Sequence, residues 1–109
     1  MRPTADPSEL IRLAHQCREQ ANRLDGAVSH LQSRSRSVRT HWKGTAAESL
    51  ESALSDQMNR TRSVIGWLNS AAGELERGAG EVRAYREAEA RREREERERR
   101  EREERDRRR

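Results

Sequence analysis

From Leu10 onward, apolar residues return in steps alternating four and three: Leu10, Ala14, Cys17, Ala21, Leu24, Val28, Leu31, Ser35, Val38 and Trp42, with only Ser35 polar. A period of about 3.5 residues, held over more than four heptads, keeps one side of an α-helix aligned with a neighbour, so the stripe predicts a helix packed along a seam. The start is marked by Asp6-Pro7-Ser8-Glu9, which offers an N-cap acceptor, a proline at the first helical position and a glutamate at the capping-box position. Gly26 weakens the helix locally by about 1 kcal/mol relative to alanine.

The stripe ends in the stretch HWKGTAAE, His41 to Glu48. Trp42 is expected to close it as the last core residue. Gly44 can take a left-handed conformation that terminates a helix, and Thr45-Ala46-Ala47-Glu48 reads as a second capping box. One helix is thus expected to stop and another to start within about three residues. The second stripe runs Ala47, Leu50, Leu54, Gln57, Thr61, Val64, Leu68, Ala71, Leu75, Gly78, Val82 and Tyr85, with Met58, Ile65, Ala72 and Ala79 widening it on one side.

Two amphipathic helices with so short a join must fold back on each other as an antiparallel hairpin about 50 to 60 Å long. Each helix covers only part of the other, and the wide second stripe, with Trp67 at its margin, stays partly wet. A two-helix core seldom suffices for a chain of this size, so the expected fold is all-α: an antiparallel helical hairpin that dimerises into a four-helix bundle. Leu24, Val28, Leu31, Leu54, Val64, Leu68 and Leu75 are the expected core and dimer seam. The organisation expected is a flexible N-terminus over residues 1–7, the hairpin over 8–89 and an Arg/Glu-rich tail over 90–109.

Only 30% of the 109 residues are hydrophobic and 40% are charged, so not all of the chain can be core. Residues 1–89 carry 13 Lys+Arg against 12 Asp+Glu, whereas residues 90–109 carry 11 against 8, which places most of the basic excess in the tail. The tail reads ARREREERERREREERDRRR, and each of its seven glutamates has an arginine four positions later. In a helix that orientation is worth about 0.2 to 0.5 kcal/mol per pair, so a charged helical C-terminal extension is expected, with a disordered polyampholyte as the alternative. Acidic residues interleave throughout and no aromatic offers a stacking platform, which argues against nucleic acid as a partner.

No membrane span and no apolar leader stretch is read in the sequence, so export, if it occurs, is expected to proceed without a cleaved signal peptide. Cys17 is the sole cysteine and lies on the seam, as a packed thiol or as half of an intermolecular disulfide. His15, His30 and His41 have no carboxylate or cysteine at ligand spacing, so no metal and no cofactor are expected. No nucleophile, base and orienting group can be assembled, and an enzyme is not expected. The SRSRS stretch from Ser33 to Ser37 falls within the first helix and reads as solvated helix surface.

Trp42, Lys43 and Gly44 at the junction of two stripes, followed by Ala46, Ala47 and Leu50, resemble the W-x-G turn of the WXG100 (ESAT-6-like) family of type VII secretion substrates. A second mark of that family, Y-x-x-x-D/E after the second helix, is similar to Tyr85-Arg86-Glu87-Ala88-Glu89. The resemblance spans about residues 6 to 89 and departs after Glu89, where such proteins are usually shorter and less charged. It implies a non-enzymatic helical dimer, paired with itself or with a sister WXG100-like chain. It also implies synthesis in a bacterial cytoplasm and leaderless export by a type VII secretion ATPase, alone or beside a larger co-secreted toxin. Trp42 would then serve as turn core or also line a groove that a partner reads. Tyr85 and Glu89 would end the stripe or form the export signal. The alternative expectation is an intracellular coiled-coil scaffold whose tail binds an acidic partner or nucleic acid.

Overall fold

The computed structural model describes residues 5–109, and among them the chain forms two helices, α1 (Pro7–His41) and α2 (Thr45–Arg108), and no strand. α1 starts where its capping residues direct. Asp6 is extended and its Oδ1 accepts from Ser8 N at 3.0 Å, while Pro7 fills the first helical position, where an N–H would have no partner. Glu9 pairs with Arg12 at 3.4 Å. Within the N-terminal stretch expected over residues 1–7, Asp6 is the N-cap and Pro7 is buried and already helical; residues 1–4 lie outside the described residues. Further along α1, the hydroxyls of Ser29, Ser33 and Thr40 donate to the carbonyls four residues back at 2.9 to 3.3 Å, so each is satisfied within the helix, a bond that favours slight bending.

The two helices lie antiparallel. Arg39 near the end of α1 meets Glu51 near the start of α2, with Nε 3.1 Å from Oε1; Arg18 reaches Glu76, with Nε 2.9 Å from Oε1; and Arg86 donates to Ala5 O at 3.3 Å. Partners thus descend α1 as they ascend α2. α2 runs on past that contact, exposed at every residue from Ala90, and the molecule measures 98 × 20 × 13 Å.

The α1 stripe is the seam as expected, except at its end. Ala14, Ala21, Val28 and Ser35 are buried, and Leu10, Cys17, Leu24, Leu31 and Val38 flank them half-buried. Trp42 is not the last core residue: it is 59% exposed, because α1 stops at His41 and Trp42 is extended, with α2 starting only three residues later.

The α2 seam is rotated by one row from the expected stripe. The covered residues are Ala47, Glu51, Leu54, Met58, Thr61, Ile65, Leu68, Ala72, Leu75, Ala79 and Val82, again in steps of four and three. The row expected beside Leu54, Leu68 and Leu75 was the one holding Leu50 and Val64; the row facing α1 is instead the one holding Met58, Ile65, Ala72 and Ala79. Val64 is 47% exposed and so stands outside the hairpin seam. Side-chain size accounts for the shift. Ala72 and Ala79 have no exposed surface, and α1 presents the similarly small Ala14 and Ala21, so the helices approach where their rows are narrowest and bulkier residues are turned to the flanks.

Candidate interaction surface

The join consists of Trp42, Lys43 and Gly44. Trp42 N donates to Val38 O at 2.8 Å and closes α1. Gly44 has φ 106° and ψ −175°, a region essentially confined to glycine, and its carbonyl accepts from Glu48 N at 3.1 Å, which makes it the N-cap of α2. The glycine requirement was legible, but its task is to begin α2, not to finish α1 in the left-handed helical region. Thr45 consequently occupies the first helical position, no side chain caps the helix, and the expected Thr45/Glu48 capping box does not form.

The hairpin has two unlike edges. On one, Arg18 and Arg39 lean across the seam to Glu76 and Glu51, and beside the Arg39 pair an open groove is lined by Ser35, Arg39, Glu48, Ser52 and Ser55. Glu51 Oε1 is shielded from solvent and makes no hydrogen bond, so its tie to Arg39 is ionic. This edge is polar and already paired.

The other edge is largely apolar and part of it is exposed. A Cβ on Gly78 would stand 3.9 Å from Leu10 Cδ1, which puts the row of Leu50, Gln57, Val64, Ala71, Gly78 and Tyr85 on the same side as Leu10, Cys17, Leu24 and Leu31. Leu13, Leu50 and Val64 are exposed there at 44%, 40% and 47%, and Trp67, one step further round α2, is 68% exposed. Large apolar side chains thus stand exposed at intervals along this edge. Periodicity alone missed the division into a paired edge and an open one; the signal that could have found it is the placement of Arg18, Arg39 and Glu76 on one flank, beside a glutamate, Glu51, in the seam row itself.

Tyr85 and Glu89 are both half-buried and four apart on α2, on either side of the point where Arg86 meets Ala5. Cys17 is a half-buried free thiol. Among the described residues, no group of three His, Cys, Asp or Glu is placed to hold a metal ion, and no helix is long and apolar enough to cross a membrane. The tail residues of α2 are exposed throughout, with Glu96–Arg100, Glu98–Arg102 and Glu104–Arg108 paired at 3.2, 4.0 and 3.2 Å.

No family model, no curated protein and no solved structure matches the chain. Function therefore rests on the residues themselves.

Proposed function

We propose that this chain is a non-enzymatic substrate or co-exported partner of a type VII (ESX-like) secretion system that works as a helical dimer. The observation that carries the reading is the position of Trp42-Lys43-Gly44: it is the break between the two helices, with a glycine whose backbone only glycine adopts readily. The uncovered apolar edge supports the dimer, since packing it against the same edge of a second hairpin gives a four-helix bundle and takes Leu13, Leu50, Val64 and Trp67 out of water. The mechanism is recognition, with the bundle as a rigid folded cargo and Tyr85/Glu89 as its address at the bundle's rim.

Tyr85→Ala tests the address. Helicity by circular dichroism and mass by light scattering are expected to stay at the parental values while the protein disappears from the culture medium. Undiminished export would remove Tyr85 from the signal. Light scattering on the parent chain tests the pairing: a mass of two chains supports the self-paired form, and a mass of one assigns the open edge to a sister chain.

A second reading, an intracellular scaffold, is favoured by one observation. In the tail, residues 91–104 hold equal numbers of arginine and glutamate, and the basic excess lies in Arg105, Arg107, Arg108 and Arg109. In that reading an acidic partner or nucleic acid binds the cluster, and removal of residues 90–109 abolishes a salt-sensitive association.

A further inference from the structure

The feature that the hairpin leaves unused is the end of α2, exposed at every residue from Ala90. Arg86 meets Ala5, and α2 runs on from there to Arg108 without a break. From Arg91 to Arg109 there is no apolar residue, no glycine and no β-branched residue. A stretch without an apolar row has no seam to offer a coiled-coil partner, so its helix cannot be held by packing.

It is held from within its own surface. Arginine and glutamate are both strong helix formers, and each glutamate from Glu93 to Glu104 has its arginine four residues toward the C-terminus, the favourable order. The pairs Glu96–Arg100, Glu98–Arg102 and Glu104–Arg108 are formed, and they lie on different sides of the helix, so the stretch is braced around its circumference. Residues 91–104 carry no net charge, which removes the self-repulsion that an arginine-rich helix would otherwise suffer. The contrast with residues 66–80 is informative: there α2 carries Gly66, Gly73, Gly78 and Gly80 and relies on α1 for support.

We propose that residues 90–108 are a free-standing helical spacer that holds the cluster Arg105, Arg107, Arg108 and Arg109 at a fixed reach from the hairpin. Counting from Arg86, that reach is about 30 Å along the helix axis at 1.5 Å per residue. A disordered tail of the same composition would deliver the same charges over a broad range of distances; the spacer delivers them at one. The inference is independent of the secretion reading, since it concerns the distance between hairpin and cluster and not what binds either.

The test is a distance measurement on the full chain. Ala84→Cys and Arg105→Cys, in a Cys17→Ala background, place two spin labels on one side of α2, both at exposed positions. Pulsed electron double resonance, with the labelled protein diluted in unlabelled protein, is expected to give one narrow distribution centred near about 32 Å. A second variant repeats residues 91–98, adding four arginines and four glutamates and keeping every glutamate four residues before an arginine. A rigid helix lengthens by about 12 Å, whereas a flexible chain of this size grows by only about 4 Å. A narrow distribution that moves by the larger step establishes the spacer. A broad distribution, or the smaller step, overturns it, and circular dichroism of the same samples verifies that the hairpin is folded in each.

Discussion

Val28→Asp is expected to unfold the hairpin, whereas the same substitution at Val64 leaves the seam intact and acts only on association. Val28 is 4% exposed in the middle of the α1 seam. Replacing it removes about 1.5 kcal/mol or more of apolar burial and places a carboxylate where water is excluded, at a further cost of about 2 kcal/mol or more. A two-helix core has little reserve against a loss of that size. Val64 lies on the uncovered edge, so a charge there meets solvent in the single hairpin and meets the partner only in the bundle. Thermal melts followed by circular dichroism at two protein concentrations separate the cases. The Val28→Asp loss is independent of concentration, while the Val64→Asp defect is confined to the concentration-dependent part of the melt. Parental melting of Val28→Asp would put the seam elsewhere.

The triple substitution of Gly66, Gly73 and Gly80 by alanine is expected to stabilise the chain by about 2 to 3 kcal/mol. The three stand seven residues apart and therefore share one row of α2, on the side away from the open apolar edge. A Cβ at any of them would meet nothing within 4 Å, and none has a positive φ. Alanine thus removes backbone freedom from the unfolded chain without a clash in the folded one. The check is a rise in the denaturant midpoint at unchanged slope. A fall would mean that the row is covered by a close-packed neighbour when the protein is assembled. Gly44→Ala has the opposite sign, because a side chain at φ 106° is strained however much space surrounds it.

Much of this architecture was legible because it follows from local rules. The Asp6-Pro7 start, the α1 stripe from Leu10 to Val38 and the reversal near Gly44 each depend on a few adjacent residues with fixed preferences. The extension of α2 was legible for the same reason, in the four-residue offset of glutamate and arginine. The rotated seam of α2 was not. Its apolar face is wider than one partner helix can cover, and hydrophobicity marks the covered and uncovered rows alike. What decides between them is how closely the two backbones approach, and that depends on Ala72 and Ala79 meeting the small row of α1, a pairing that no stretch of one helix records.

Trp42 failed for a related reason: a stripe extrapolated to its end assumes that the opposing helix is still there. Tyr85 and Glu89 present a different case. Their spacing and their place at the edge of the paired region could be read from the sequence, but the chemistry that would recognise them belongs to another molecule.

The shape of the hairpin bears on how its chains can be counted. A compact chain of this length would have a radius of gyration of about 13 Å, and this one has 26.9 Å. Such a body drags through a gel-filtration matrix like a larger sphere, so a lone 12.7 kDa chain will elute early enough to mimic a dimer. Frictional methods will therefore overstate the number of subunits, and stoichiometry has to come from scattering or sedimentation equilibrium, where shape drops out.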